Sequence, residues 1–333
     1  MCKNSVSHLA RAQNFKKNCR LFTYDNIYFT KFHNFDSKNK DIKKNKTKNP
    51  FIFNIACWNI RTLNSSSEED YRNNLNCSPN DKRPLLVKEA KRLDIDILCL
   101  SETRLLGKDH IEIDGYVLIW SGQEKKHQHG VAVLIKKEHI KGLDINQDVL
   151  FVSDRILQIN LRIQGSTLSI ISVYAPTNVS EIEQKLEFYD QLQEITTNVS
   201  KKKLLFICGD INARVGRTSN KENEWHGILG NYGMGKENEN GSLLLEYCSR
   251  NNLRVCNTFF KHKNRGTWKH LRSNKWHQLD HILCRKTDSG KNIDCYVESS
   301  AECWTDHNMV ILKHKFQIQK PKRFNNHKQK LHS

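Results

Sequence analysis

The chain has 333 residues, 37% of them hydrophobic, and carries a formal net charge of +18. Such a charge attracts polyanions, which can be nucleic acid, acidic membrane surfaces or acidic proteins, although a solvated basic surface without a partner is an alternative. The apolar runs are shorter than the roughly 20 residues of a membrane span, and the first residues lack the pattern of a signal peptide. The length suits one large domain or two small ones.

Both ends of the chain are polar and basic. Residues 1–50 are rich in Lys, Asn and Phe without a clear period, and residues 319–333 have the same character. Segments of this composition cannot bury a core, so we predict disordered basic arms there and a folded domain at 51–318. The arms could bind phosphate or carry a nuclear address, and a solvated linker is an equal alternative.

The eleven cysteines are placed like buried hydrophobic residues. Five lie inside apolar, strand-like runs, where a free thiol behaves as a small hydrophobic group: Cys57, Cys99, Cys208, Cys256 and Cys284. The sequence contains no CxxC pair and no Cys/His spacing typical of zinc sites. We therefore expect free thiols and a reducing, intracellular compartment.

Between the arms, apolar runs of strand length alternate with longer segments of helical period. The predicted strands cover residues 51–58, 95–101, 116–120, 130–135, 155–163, 168–174, 204–208, 278–283 and 309–315. The predicted helices cover residues 85–93, 181–199 and 242–251. Ile-, Val- and Leu-rich runs bounded by Gly, Asp or Asn are typical of buried strands. Many such strands with few helices predict an α/β fold whose helices lie outside the sheets.

Acids, amides, a tyrosine and a histidine recur where the predicted strands begin or end, which is where sheet scaffolds place catalytic groups. They are Asn59, Glu102, Tyr174, Asp210, Asn212, Asp280, Asp306 and His307. Each has a structural alternative: an Asn or Asp suits a turn, and an Asp can cap a helix. Their joint occurrence in this order favours a functional site.

Seven short motifs carry these residues. They are Trp58-Asn59, Ser101-Glu102-Thr103, Tyr174-Ala175-Pro176, Gly209-Asp210-Ile211-Asn212, Gly266-Thr267-Trp268, Leu279-Asp280-His281 and Thr305-Asp306-His307. In this order they resemble the endonuclease/exonuclease/phosphatase superfamily. Residues 58–63, 129–132 and 209–216 add a resemblance to endonuclease domains of non-LTR retrotransposons and to craniofacial development protein 2-like proteins. The resemblance implies a four-layer α/β sandwich, in which two packed mixed sheets are flanked by helices.

The same resemblance implies a divalent metal. Glu102 would be the main ligand of Mg²⁺, or of Mn²⁺, with Asn59 and Asp306 nearby, and oxygen ligands suit these ions. Some relatives carry an acid at the position of Arg61, so a metal contact made there would be absent here. Related retrotransposon proteins continue into a reverse transcriptase, so we expect a stand-alone domain, a domesticated copy or a fragment.

The resemblance also implies roles in hydrolysis. Asp280 would orient His307, and Asp210 would orient or activate the attacking water. Asn212 and Tyr174 would donate hydrogen bonds to the phosphate. A histidine titrates near neutrality and suits general acid–base work, but the sequence leaves open whether His307 or Asp210 takes the proton.

Basic and aromatic residues near these motifs are candidates for nucleic-acid contacts. We single out Arg104, Arg214, Arg265, Lys269 and Trp268, although Trp268 is also a candidate core residue. Together with the charge, the resemblance predicts a monomeric, nuclear endonuclease that nicks duplex DNA. Two alternatives stay open: a phosphoesterase acting on a small or lipid phosphate, and an inactive, domesticated nucleic-acid-binding protein.

Overall fold

The computed structural model describes residues 51–63, 81–163, 165–217 and 224–316. Its strands are β1 (Phe51–Asn59), β2 (Ile97–Ser101), β3 (Lys108–Ile113), β4 (Tyr116–Ser121), β5 (Val131–Lys136), β6 (Val149–Ser153), β7 (Ile156–Ile163), β8 (Ser166–Tyr174), β9 (Leu204–Asp210), β10 (Leu253–Val255), β11 (Trp268–His270), β12 (Lys275–His277), β13 (Asp280–Arg285), β14 (Asn292–Glu298) and β15 (Met309–Phe316). Its helices are α1 (Arg83–Arg92), α2 (Ile145–Asp148), α3 (Ile182–Asn198) and α4 (Glu239–Arg250). The predicted arms at 1–50 and 319–333 lie outside the described residues, so the domain boundaries stay predictions.

Two mixed sheets form the centre of the fold. Sheet A has the strand order β14-β15-β1-β2-β5-β4-β3, and sheet B has the order β10-β13-β9-β8-β7-β6. In sheet A only β1 and β2 pair in parallel, and in sheet B only β8 and β9 do. The short strands β11 and β12 form a separate antiparallel hairpin. Each sheet therefore has one parallel pair, whose carboxyl ends mark a single edge.

The sheets pack face to face, and helices cover their outer faces. Ile55 of β1 and Phe206 of β9 belong to one apolar core shared by both sheets. Trp58 of β1 belongs to a second core with residues of α1, because successive side chains of a strand point to opposite faces. The outer face of sheet B packs against residues of α3 and α4, among them Leu192 and Leu244. The predicted four-layer sandwich is confirmed.

The sequence predicted the central strands and missed the peripheral ones. The missed strands β3, β6, β10 and β14 are the outermost strands of the two sheets, and β11 and β12 form the separate hairpin. Strand β3, for example, has four exposed residues among its six. An edge strand is covered on fewer sides than a central one, so its sequence carries a weaker apolar signal.

The five cysteines of the predicted apolar runs are buried free thiols, as predicted, although Cys256 lies just after β10 rather than in a strand. Their compartment stays a prediction. Among the described residues, no helix has both the length and the apolar character that crossing a membrane requires.

Candidate active site

Strand register gathers the predicted site residues at one edge of the sandwich. Asn59, the last residue of β1, pairs with Ser101, the last residue of β2. Tyr174 at the end of β8 pairs with Asp210 at the end of β9, and Asp210 pairs with Asp280 at the start of β13. Residues far apart in the chain therefore meet where α/β sheets commonly bind ligands.

Ser101 joins the two sheets at this edge. Its hydroxyl donates to the carbonyl of Val173 at 3.0 Å and accepts from the backbone N–H of Asp210 at 3.1 Å. Ser101 is fully buried, so these bonds hold the end of β2 against the ends of β8 and β9. The one sequence feature that pointed to this role is the position of Ser101 next to Glu102 at a strand end.

Asn59 bridges two carboxylates. Its amide nitrogen donates to Oε1 of Glu102 and to Oδ2 of Asp210, each at 2.9 Å. The backbone N–H of Arg61 donates to Oδ1 of Asn59 at 3.0 Å, which fixes the orientation of the amide because a backbone N–H can only donate. Asn59 therefore has only the second lone pair of its oxygen to offer a metal.

Tyr174 points its hydroxyl at the same carboxylate. The hydroxyl donates to Oε1 of Glu102 at 2.9 Å. Burial raises the pKa of Tyr174, and the charges of Glu102 and Asp210 raise it further, so the hydroxyl keeps its proton. Because that proton is engaged by Glu102, the predicted donation to a phosphate requires Tyr174 to change partners.

Asn212 is held beside Asp210 by a tight turn. Its backbone N–H donates to Oδ1 of Asp210, and its side-chain amide donates to the carbonyl of Ala175, both at 2.9 Å. One N–H of the side-chain amide remains for a ligand. Glu102 and Asn212 both have left-handed backbones, with φ of 53° and 52°. This conformation costs a non-glycine residue about 1–3 kcal/mol and clusters at functional sites.

Asp210, Asp280 and His307 form a compact buried group, with one ligand atom of each lying within 4.8 Å of the others. Nδ1 of His307 donates to Oδ2 of Asp280 at 3.0 Å. Burial lowers the pKa of His307, but the charge and hydrogen bond of Asp280 and the charge of Asp210 outweigh burial and raise it to about 9. Burial and the charge of Asp280 raise the pKa of Asp210 to about 7. The group thus pairs a cationic imidazole with a carboxyl that titrates near neutrality.

The donor set fits a divalent cation. Oδ1 of Asp280 and Oδ1 of Asp306 are buried carboxylate oxygens without a hydrogen-bond partner in the protein. Nε of Arg61 lies 3.7 Å from Oδ1 of Asp306, which is an ion pair but too long for a hydrogen bond. Buried oxygens of this kind normally have a partner. The free oxygen of Asp306 and the carboxylate of Glu102 are hard oxygen donors of the kind that Mg²⁺ and Mn²⁺ prefer.

A cleft of about 440 Å³ opens over these groups. It is lined by Glu102, Tyr174, Thr177, Asn178, Val179, Asp210, Asn212, Arg214, Asn238, Trp268, His270, His277, Leu279 and His307. The remaining three predicted catalytic or metal residues each bond to a lining side chain. Asn59 bonds to Glu102 and Asp280 to His307, while Asp306 accepts from Nε1 of Trp268 at 3.1 Å.

The predicted nucleic-acid contacts lie at different depths. Arg214 and Trp268 line the cleft, and a guanidinium nitrogen of Arg104 lies 3.3 Å from Oε2 of Glu102. Lys269 is in the β11–β12 hairpin, with Nζ 5.9 Å from the centre of the Trp276 ring. Arg265 donates to the carbonyl of Tyr232 at 3.3 Å, and neither it nor Arg104 or Lys269 is a lining residue.

The sequence missed two histidines of the cleft, His270 and His277, which the β11–β12 hairpin brings to its wall. Their rings lie 5.4 Å and 5.7 Å from that of Trp268. Two histidines flanking a basic, Trp-containing stretch were the available signal. These histidines lie in a hairpin rather than at the end of a predicted strand, so the strand-end pattern did not include them.

Sequence comparison finds relatives across most of the chain. The profile described as "Endonuclease/Exonuclease/phosphatase family" matches residues 56–307. Craniofacial development protein 2 of Bos taurus is 29% identical over 266 residues, covering 79% of this chain and 41% of that protein. The Tragulus javanicus protein of that name is 30% identical over 271 residues, covering 79% and 42%. The chain spans about two fifths of the length of these relatives.

Solved structures with the same fold include two nucleic-acid enzymes. The endonuclease domain of TRAS1, a telomere-specific non-LTR retrotransposon, has a TM-score of 0.54 at 15% identity, covering 80% of this chain and 99% of that chain. The 3' phosphatase NExo from Neisseria, bound to a product DNA hairpin, has a TM-score of 0.53 at 17% identity, covering 79% and 100%. At these identities the likeness shows the fold alone. The profile match confirms the resemblance expected from the motifs: the chain belongs to the Endonuclease/Exonuclease/phosphatase family.

Proposed function

We propose that this protein is a divalent-metal-dependent phosphodiesterase that nicks duplex DNA. The observation that carries the proposal is the convergence of Asp210, Asp280 and His307 within 4.8 Å, beside Glu102 and Tyr174 in one cleft. Phosphodiesters resist hydrolysis because they are negatively charged, so a catalyst needs positive charge, a proton acceptor and oriented donors together. This cleft offers all three.

The charge of the chain and the character of its relatives support DNA as the substrate. The net charge of +18 suits a polyanion, and Arg104, Arg214 and Lys269 lie in or near the cleft. One structural neighbour is an endonuclease domain, and another is bound to a DNA hairpin. These observations favour nucleic acid over a small or lipid phosphate.

The carboxylates of Glu102 and Asp306 would hold Mg²⁺, with Asn59 beside them. When bound, the ion would supply positive charge for the phosphate and for the departing oxygen. Asn59 also keeps the carboxylate of Glu102 aligned with that of Asp210 through its two donated hydrogen bonds. Asn59 is thus primarily a spacer between the metal-binding carboxylate and the proton acceptor.

Asp210 and His307 divide the proton chemistry between them. The carboxylate of Asp210, fixed by the amide of Asn59 and the backbone N–H of Asn212, accepts the proton of the attacking water. His307, held through Nδ1 by Asp280, donates from its other ring nitrogen to a phosphate oxygen. The remaining N–H of the Asn212 side chain donates to the same phosphate.

Supercoiled plasmid tests the proposal. Purified protein with Mg²⁺ should convert it to nicked circles, and both EDTA and Glu102→Ala should abolish the conversion. Nicking that survives either treatment contradicts the metal mechanism. Turnover of a small phosphoester without plasmid cleavage would favour the small-phosphate alternative, and plasmid binding without cleavage would favour an inactive binding protein.

We further propose that the protein acts as a monomer in the nucleus, with its basic charge as the support. Light scattering of the purified chain tests the first point, and imaging of a fluorescent fusion in cells tests the second. A dimeric mass or exclusion from the nucleus would overturn the corresponding point.

A further inference from the structure

The carboxylate of Glu102 belongs to a closed ring of five interacting residues. Oε1 of Glu102 accepts from the hydroxyl of Tyr174, and the carbonyl of Tyr174 accepts from Nη1 of Arg155 at 3.1 Å. Nη2 of Arg155 lies 2.8 Å from Nε2 of His129, whose carbonyl accepts from the backbone N–H of Arg104 at 2.9 Å. The guanidinium of Arg104 returns to Oε2 of Glu102 at 3.3 Å. Neither Arg155 nor His129 is among the residues that line the cleft.

Arg155 makes three contacts with Tyr174. Besides the bond from Nη1, its carbonyl accepts from the backbone N–H of Tyr174 at 2.9 Å, and its guanidinium carbon lies 5.1 Å from the centre of the tyrosine ring. A planar guanidinium can stack and donate two hydrogen bonds at once, which an ammonium cannot do. Arg155 therefore fixes both the backbone and the ring of the residue whose hydroxyl meets Glu102.

The hydrogen-bond partners of His129 identify its tautomer. A guanidinium only donates, so Nε2 of His129 must accept from Arg155 and carry no proton. The proton is then on Nδ1, which donates to Oδ2 of Asp154 at 2.8 Å. The same oxygen of Asp154 accepts from the amide of Gln123 at 2.7 Å. Asp154 thus orients His129, and His129 orients Arg155.

Three members of the ring have left-handed backbones. The φ angles are 53° for Glu102, 55° for Arg104 and 53° for His129. Such conformations persist only where the surrounding contacts hold them, at a cost of about 1–3 kcal/mol each. The ring supplies contacts of this kind on both sides of Glu102. These contacts hold its carboxylate in one position.

We propose that Arg155, held by His129 and Asp154, is a positioning residue that fixes Tyr174 and, through it, the carboxylate of Glu102 for divalent-cation binding. The inference rests on the proposed function, since Glu102 is its metal ligand. Partners that orient a ligand contribute to metal affinity without touching the metal. Arg155 is accordingly expected to influence cation binding and turnover, and to leave DNA affinity unchanged.

The test has two measurements. Electron paramagnetic resonance monitors Mn²⁺ binding to the full chain without DNA, and steady-state kinetics monitors nicking. Arg155→Ala should weaken Mn²⁺ binding about tenfold and lower kcat, with KM for DNA unchanged. Arg155→Lys should resemble Arg155→Ala, because the lysine ammonium cannot replace the planar guanidinium that stacks and donates two hydrogen bonds. The matched control is Arg162→Ala, an exposed arginine of strand β7, which Arg155 directly precedes, and it should match the wild type in both measurements.

His129→Asn provides a second variant if Arg155→Ala fails to fold. Asn tolerates a left-handed backbone but is too short to accept from the guanidinium, so it should weaken Mn²⁺ binding in the same direction. A folded Arg155→Ala or His129→Asn protein with wild-type Mn²⁺ affinity overturns the inference. A raised KM at unchanged kcat also overturns it, because that split indicates a substrate contact.

Glu102→Ala, titrated alongside, separates this inference from the proposed function. If Glu102→Ala retains Mn²⁺ binding, the proposed metal mechanism fails and the positioning role fails with it. If Glu102→Ala loses Mn²⁺ binding while Arg155→Ala keeps it, only the positioning role is overturned.

Discussion

Two buried Asp–His pairs lie at opposite edges of the sandwich. Asp280 and His307 meet at the carboxyl edge, with Oδ2 and Nδ1 3.0 Å apart. Asp96 and His139 meet at the other end, where Asp96 precedes β2, with Oδ1 and Nε2 2.9 Å apart. By distance and burial alone, the two pairs are nearly equivalent.

Their remaining partners distinguish the pairs. Oδ2 of Asp96 accepts from the backbone N–H of Asn54 at 2.8 Å, and Oδ1 also accepts from Nζ of Lys136 at 3.1 Å. Asp280, in contrast, has an oxygen without a hydrogen-bond partner, and its histidine lines the cleft. A buried polar atom without a partner is costly, so it points to a ligand, whereas a saturated pair only holds the fold. An Asp–His pair thus indicates a ligand-binding site when one of its buried polar atoms lacks a hydrogen-bond partner.

The largest expected effect separates the two histidines. His307→Ala should lower the nicking rate by about 10³-fold, because it removes the donor proposed to act on the reacting phosphate. His139→Ala should leave the rate per folded molecule unchanged. The measurement is plasmid nicking normalised to the folded fraction from circular dichroism, and equal losses in the two variants would break the distinction.

The Asp96–His139 pair should instead affect the free energy of unfolding. Burial raises the pKa of Asp96, but hydrogen bonds from His139, Asn54 and Lys136 outweigh burial and leave the pKa below its usual value. A depressed pKa means that the stabilisation is present above the unfolded pKa of about 3.9 and is lost as pH falls through the folded value. Asp96→Asn should therefore cost about 3 kcal/mol of unfolding free energy at pH 7, and less below about pH 4.

Urea unfolding of wild type and Asp96→Asn between pH 3 and pH 7 measures this effect. The control is Asp94→Asn, which also removes a partner of Lys136 but at a side chain that is 79% exposed. An exposed ion pair contributes less than about 1 kcal/mol. A cost for Asp96→Asn that does not change with pH would contradict the assignment.

The smallest expected effect concerns two lysines, one near the cleft and one far from it. Lys269, beside Trp276 in the cleft-side hairpin, is expected to contact a DNA phosphate. Lys269→Ala should weaken DNA binding a few-fold and reduce the slope of log affinity against log salt by about 0.9. Lys201→Ala, an exposed lysine before the start of β9, should change neither. Fluorescence anisotropy across a salt series distinguishes them, and matching slopes would exclude a local role for the hairpin.

The sequence predicted the parts of this molecule that depend on local pattern. Buried strands such as β2 are continuous apolar runs, and Glu102 was recognisable because it follows such a run within a short motif. Edge strand β3 was missed because its residues are mostly exposed. The Arg155–His129 bond was missed because it joins residues 26 positions apart, and neither belongs to a strand-end motif. Pairing of this kind depends on sheet order and register, which a single sequence does not specify.

The same dependence explains the second Asp–His pair. Asp96 and His139 are 43 positions apart, and nothing local marks them as partners. Only the structure shows that one pair is saturated and the other is open, which is the difference on which the functional assignment depends.

Anomalous diffraction from Mn²⁺-soaked crystals of the full chain tests that difference most directly. We expect a peak in the cleft, within coordination distance of Glu102 and near Asp306. A peak beside Asp96, Glu138 and His139, the other group of potential ligands in the described part of the chain, with none in the cleft, would contradict it.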